Sequence, residues 1–208
     1  MEREVLSVGI LAGGESKRFR ADKALARLGS KTLLEIMMEK SKALSDNVMI
    51  VVSSDEQRER FGKVINTDSI IVDPENSPKC ALTGTLTALE FSKTEYTMIL
   101  PVDTPRAKLS VLRTLVELAP GHGAVVPAWP NGYIEPLHVV YLSEHAYACG
   151  LELEDDKSLK MSEFLNCLHN VLYISTEVLK HEDPDLVTFT NVNTEQELLA
   201  LEKRDIKG

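Results

Sequence analysis

Short apolar runs alternate with helically spaced apolar positions through the first two-thirds of the chain. Residues 5–11 are apolar and break at Gly13-Gly14, which predicts a buried strand ending in a sharp turn. Thr32-Leu33-Leu34-Glu35 has the Thr-x-x-Glu form of a capping box, and Leu33, Ile36, Met37 and Leu44 follow at helical spacing. Asn47 to Val52 predicts a second strand and Asp55 to Phe61 a short polar helix. Ser69 to Val72 predicts a third strand, ending at Asp73-Pro74. Thr83-Gly84 opens a helix running to about Lys93, and Tyr96 to Leu100 predicts a fourth strand ending in Pro101-Val102-Asp103-Thr104-Pro105. Leu109 to Leu118 is helical, stopped by Pro120-Gly121-His122-Gly123.

Strand and helix in alternation predict a mostly parallel sheet with helices on both faces. The pattern then changes. Ala124 to Trp129 and Ile134 to Leu142 are both strand-like and are joined through Asn131-Gly132, a strong short-range hairpin signal. Pro127, Pro130 and Pro136 suit an edge or bulged pairing. Residues 143–168 have helical spacing, with Glu152, Glu154, Asp155 and Asp156 read as a solvated turn between two helices. Asn170 to Ile174 predicts a further strand, Thr188 to Asn193 is extended and polar, and Thr194-Glu195-Gln196-Glu197 offers a second capping box into a terminal helix. The expected fold class is α/β: a Rossmann-like three-layer α/β/α arrangement whose mostly parallel mixed sheet carries an antiparallel hairpin. No repeat or linker divides residues 1–208, so one domain is expected.

Charge changes this picture at one place. The formal net charge is -9, which argues against a general nucleic-acid or anionic-membrane binder. Yet Lys17, Arg18, Arg20 and Lys23 cluster directly after the glycine turn. Ligands of open α/β sheets bind outside the carboxyl ends of the strands, and glycines there let the backbone approach a ligand closely. The stretch from Leu11 through Ala12, Gly13 and Gly14 to Lys23 therefore reads as a phosphate-binding loop, with a plain solvated loop as the alternative. Neither G-x-x-x-x-G-K-[ST] nor G-x-G-x-x-G is present, so a P-loop NTPase or a standard nicotinamide dehydrogenase is not supported.

Asp73 and Asp103 each follow an apolar strand and have a proline within two residues. In a parallel sheet both carboxylates reach the edge that carries the glycine loop, although an Asp at a strand end also simply makes turns. Mg²⁺ favours one or two carboxylates together with phosphate oxygens and water, which makes Asp103 the candidate metal ligand. The cysteines, Cys80, Cys149 and Cys167, are odd in number and widely spaced, as in a reducing compartment without a disulfide framework. His122, His138, His145, His169 and His181 lack metal-ligand spacing; His138 reads as a packed histidine and Trp129 as a core or rim residue. No signal peptide and no apolar run of roughly 18 residues is seen, so the expected location is cytoplasmic.

Leu11-Ala12-Gly13-Gly14-x-Ser16-x-Arg18-Phe19, followed by Asp22-Lys23-Ala24-Leu25, resembles the signature of the molybdenum cofactor guanylyltransferases, within the nucleotidyltransferase superfamily. Val72-Asp73, Pro101-Val102-Asp103-Thr104-Pro105, Glu135-Pro136-Leu137 and Asn191-Val192-Asn193-Thr194 resemble later patterns of that family in order and spacing. The chain departs from the family's Gly-Pro-Leu-x-Gly at Cys80-Ala81-Leu82-Thr83-Gly84, where only Leu82 and Gly84 match. The resemblance implies a Mg²⁺-dependent nucleotidyltransferase fold and transfer of GMP from GTP to the terminal phosphate of molybdopterin, releasing pyrophosphate. It implies that Leu11 to Gly14 and Lys23 hold the nucleotide and Asp73 lies near the nucleoside. It also implies that Arg18, Lys23 and Asp103 would serve catalysis, with Mg²⁺ on Asp103, and that Asn191 and Asn193 would face the acceptor substrate. The N-terminal part would bind nucleotide and the C-terminal part acceptor, with molybdoenzymes or cofactor-delivery proteins as further partners. Alternatives are a cytidylyl- or sugar-phosphate nucleotidylyltransferase on the same fold, and a non-catalytic nucleotide or cofactor carrier.

Overall fold

The computed structural model describes residues 5–14, 22–65, 67, 69–155 and 160–205, with side chains described except at 154–155 and 203–205. A seven-stranded sheet is built from β1 (Leu6–Leu11), β4 (Asn47–Val52), β5 (Ile70–Val72), β6 (Tyr96–Pro101), β7 (Ala124–Ala128), β8 (Val139–Leu142) and β9 (Val171–Ser175). Its order is β5-β4-β1-β6-β8-β7-β9. β1 pairs in parallel with β4 and β6, β4 with β5, and β7 with β9, whereas β8 runs antiparallel to both β6 and β7. β2 (Arg27–Leu28) and β3 (Lys31–Thr32) form a separate two-stranded ribbon beyond a 3-10 turn at Lys23–Leu25.

The central strands read as continuous apolar runs because both faces are covered, and their side chains alternate between two cores. Val48, Ile50 and Val52 face one cluster with Leu34 and Met37 of α1 (Leu33–Lys42), Phe61 of α2 (Asp55–Gly62) and Leu112 and Leu115 of α4 (Leu109–Glu117). Met49 and Val51 face the other, with Leu82, Leu86 and Leu89 of α3 (Ala81–Glu90) and Phe164 of α6 (Met161–Cys167). α5 (Ser143–Asp155) contributes Ala146 and Cys149 to this second layer. The Thr32 capping box is formed in full, each partner satisfying the other's orphan backbone donor. All three cysteines are free; Cys149 Sγ donates to the Cys167 carbonyl at 3.4 Å.

Four expectations shift. α3 starts at Ala81, two residues before Thr83, and stops at Glu90. The Asn131-Gly132 turn forms, with Gly132 at φ +84° and Trp129 N–H donating to Tyr133 O at 2.7 Å. The return arm, however, pairs only through the Ala128–Ile134 bridge before leaving the sheet, and β8 begins at Val139. Pro136, which has no N–H to donate, lies in the excursion. Glu152, Glu154 and Asp155 lie in the last part of α5 rather than in a turn, while Asp156 is outside the described residues. Thr188 lies in a 3-10 turn (Val187–Phe189), not extended chain, and only residues 190–193 run irregularly toward α8 (Glu195–Asp205).

That last segment is clamped at its start. Asp183, fully buried, accepts from the Thr188 N–H at 2.8 Å and hydroxyl at 2.7 Å, and pairs with Lys108 Nζ at 3.2 Å. Burial alone would raise its pKa, but the Thr188 hydrogen bonds and the Lys108 charge hold the carboxyl below its usual range.

Candidate active site

The carboxyl ends of β1, β4, β5 and β6 open onto a cleft of about 800 Å³. Gly13 fits there because its backbone touches the next strand: a Cβ would sit 2.8 Å from Ser53 N. Ala12 N–H donates to Val51 O at 2.8 Å and Ser53 Oγ donates to Gly13 O at 2.7 Å, so the loop is held on β4 by main chain and side chain together. Gln57, buried in α2, extends this anchorage. Its Oε1 accepts from Ser53 N–H at 2.9 Å, and its Nε2 donates to Asp22 Oδ1 at 3.0 Å. Arg60 pairs with the other Asp22 oxygen at 2.6 Å. The residue next to Asp22 is Lys23, so α2 fixes where the lysine enters the cleft.

Lys23 Nζ donates to Asp103 Oδ2 at 2.6 Å and to Asn193 Oδ1 at 3.0 Å. The ion-paired side chains are only 12% and 19% exposed. Two of the ammonium's three donors are thus engaged among the described residues, leaving one for a ligand. Asp103 Oδ1 is buried and has no hydrogen-bond partner among the described residues. The Asp103 carbonyl accepts from Val192 N–H at 2.8 Å, and Asn193 N–H donates to Glu197 Oε2 at 2.6 Å. Glu197 in turn caps α8 through its N–H on Thr194 Oγ1, so its carboxylate serves Asn193 rather than closing the expected box on Thr194.

Asp73 is half-buried at the end of β5, and its Oδ1 accepts from Thr87 Oγ1 at 2.8 Å. Burial raises its pKa, and the Thr87 hydrogen bond offsets part of that rise. The remaining wall carries Tyr133, Glu135, Pro136, Leu137 and His138 from the arm that returns from the hairpin turn. Trp129 Nε1 donates to Glu135 Oε1 at 2.6 Å. Burial raises the Glu135 pKa, against the lowering effect of that bond. His138 is buried, its ring edge-on to Phe189 at 5.1 Å, and burial pushes its pKa down to about 3.

This cleft collects Leu11, Ala12, Gly13, Gly14, Lys23, Asp73, Asp103, Asn191 and Asn193 from five separate parts of the sequence. Arg18, with Lys17 and Arg20, lies outside the described residues. The sequence profile of the MobA-like NTP transferase domain matches residues 8–170. The chain belongs to the MobA-like NTP transferases. A molybdenum cofactor guanylyltransferase of Desulfosudis oleivorans is 31% identical over 194 residues, covering 91% of this chain and 90% of that protein. A Methanosarcina mazei protein named a probable molybdenum cofactor guanylyltransferase is 29% identical over 202 residues, covering 95% and 90%. The crystal structure of molybdopterin-guanine dinucleotide biosynthesis protein A from Archaeoglobus fulgidus superposes with a TM-score of 0.81 at 27% identity, covering 97% of this chain and all of that one. The three-layer fold expected from the sequence is thus the nucleotidyltransferase fold of this MobA-like family.

Sequence reasoning missed the struts of this MobA-like site. Gln57 is a polar residue on the one buried stripe of an otherwise polar helix, a signal that was available but not distinctive. Ser53 carried no signal beyond its place after a strand. The Trp129–Glu135 hydrogen bond depends on how the hairpin returns, which the residues alone do not specify.

Proposed function

We propose that this protein is a molybdenum cofactor guanylyltransferase, transferring GMP from GTP to the terminal phosphate of molybdopterin. The observation that carries this reading is the Lys23–Asp103 pair, set beside the glycine loop in one cleft that also holds Asp73 and Asn193. A phosphate oxygen of the acceptor forms the new bond to the GTP α-phosphorus, and the bond to pyrophosphate breaks. The nucleophile is already anionic near neutral pH, so the chain's task is positioning and charge neutralisation rather than base catalysis. The Gly13 segment brings main chain up to the triphosphate, Lys23 supplies the cation, and Asp73 faces the nucleoside.

The donor set suits Mg²⁺. Among the described residues Asp103 offers a buried oxygen without a partner, and no group of three or more His, Cys, Asp or Glu side chains forms a ready-made cage. A single carboxylate completed by phosphate oxygens and water is the usual arrangement for that ion. When bound, it would neutralise charge on the triphosphate and the departing pyrophosphate. Asp103 would hold it, while Lys23 stays tethered by Asn193. A cytoplasmic location and hand-over to molybdoenzymes or cofactor-delivery proteins accompany this reading; among the described residues no helix is long and apolar enough to cross a membrane.

The deciding experiment measures pyrophosphate release with each of the four NTPs, with and without molybdopterin. Release with GTP that requires molybdopterin supports the proposal. Preference for CTP moves the protein to the cytidylyl branch, and tight GTP binding without turnover makes it a carrier.

A further inference from the structure

Glu135 is out of place in a cleft built to hold phosphates. Its carboxylate is half-buried on the cleft wall, where its charge repels an anionic ligand unless it meets N–H donors. One oxygen is fixed by the Trp129 indole N–H, and the second has no hydrogen-bond donor among the described residues. Asp73 repeats this arrangement on the nucleotide side, with one oxygen held by Thr87. In sheet order the two carboxylates flank β6, whose end carries Asp103: Asp73 follows β5, and Glu135 lies between β7 and β8. The two substrates of the proposed reaction share one feature that matches such a pair. Guanine and pterin both present a 2-amino-4-oxopyrimidine edge, with a ring N–H beside an amino group. Two adjacent N–H donors are what a single carboxylate accepts.

Two neighbours point the same way. His138 is 1% exposed and lines the cleft, yet neither ring nitrogen has a partner among the described residues. A neutral imidazole left this way lacks one donor contact and one acceptor contact, and each is costly to leave unmade when buried. A heterocycle in the cleft, with the water it orders, is a source of both. Tyr133, 61% exposed on the same arm, offers an aromatic face for a flat ring.

We propose that Glu135, with Tyr133 and His138, forms the subsite for the acceptor's heterocycle, a pterin or other ring with a 2-amino-4-oxopyrimidine edge. This rests on the guanylyltransferase reading, with Asn191 and Asn193 nearer the reacting phosphates. The competing role for Glu135 is purely structural, pinning Trp129 at the hairpin. Glu135→Gln separates the two, because its amide oxygen still accepts from the indole while its charge is gone and one acceptor becomes a donor.

Trp129 is the chain's sole tryptophan and touches Glu135, so its fluorescence reports on this subsite. The full chain is titrated with neopterin monophosphate and with its analogue carrying oxygen in place of the 2-amino group, while GTP·Mg²⁺ affinity is measured by calorimetry. The expected results are quenching by the pterin that persists at saturating GTP, and at least tenfold weaker binding of the oxo analogue. Glu135→Gln should bind the pterin at least tenfold more weakly with GTP affinity within twofold of wild type. Unchanged pterin affinity in Glu135→Gln, no pterin binding by a protein that binds GTP, or displacement of the pterin by GTP overturns the subsite. Failure of the wild-type protein to bind GTP instead overturns the guanylyltransferase reading and the subsite with it.

Discussion

Replacing Lys23 by Met keeps the length of the side chain and removes its charge. In the free protein this leaves Asp103 with one oxygen already unpartnered among the described residues and the other newly so. Breaking a fully buried pair costs about 3–5 kcal/mol and a surface pair about 0–1. At 12% and 19% exposure the Lys23–Asp103 pair falls between these limits, and about 2 kcal/mol is expected. For a chain of 208 residues, that lowers Tm by roughly 4–8 °C. The effect on turnover is separate. A charge-assisted hydrogen bond to phosphate contributes about 1.5–3 kcal/mol, so kcat/KM for GTP should fall about 10- to 150-fold. The double variant Lys23→Met/Asp103→Asn removes both charges, and should melt above Lys23→Met while being no more active than it. Scanning calorimetry and pyrophosphate release, run on the same preparations, separate the two effects. A Lys23→Met enzyme within threefold of wild-type kcat/KM would remove the lysine from the chemistry. A double variant whose destabilisation equals the sum of the singles would show that the pair is not coupled.

Three further outcomes follow from the geometry. Gly13→Ala drives a Cβ to 2.8 Å from Ser53 N; it should weaken GTP binding at least tenfold by calorimetry, about 1.4 kcal/mol, while far-UV circular dichroism stays native. His138 has a native pKa of about 3, against about 6.5 unfolded, so below about 6.5 the unfolded state binds the extra proton and stability falls as pH drops toward 3, by up to about 1.4 kcal/mol per unit. His138→Phe should flatten that part of the Tm–pH curve, and an unchanged slope would refute the assignment. Asp183→Ala leaves Thr188 and Lys108 without their carboxylate and should cost about 3 kcal/mol at neutral pH. Because the native pKa is depressed, this contribution is present above the unfolded value near 3.9 and fades as pH falls through the lower native value; urea melts at pH 7 and pH 3 check it.

The parallel half of the fold was legible because buried parallel strands announce themselves as apolar runs, and three of its four runs ended in a recognisable breaker: Gly13-Gly14 after β1, Asp73-Pro74 after β5 and Pro101 at the end of β6. The return from the Asn131-Gly132 turn was not. The apolar character of Ile134 to Leu142 suits a strand throughout, but β8 must insert between β6 and β7, and only Val139–Leu142 finds that register. At the site, the charged residues could be named, since Lys23, Asp73 and Asp103 sit at strand ends or beside the glycine turn. Their partners could not. Lys23 meets Asp103 and Asn193 across 80 and 170 residues of sequence, and no local pattern encodes which cation meets which anion at that range. The segment around Thr188 looked extended because it is polar, whereas the Asp183 clamp curls it into a 3-10 turn.

The family profile ends at residue 170, but the working unit does not. Val192 holds the Asp103 backbone, Asn193 holds Lys23, and Val192, Leu198 and Leu201 cover Leu33 at the start of α1. A fragment cut at the profile boundary would retain the glycine loop and both aspartates, yet expose an apolar seam and release the lysine from one of its two anchors. The excisable module is therefore longer than the recognisable one, and grafts or fusions that respect only the recognisable part would cut through the candidate site from behind.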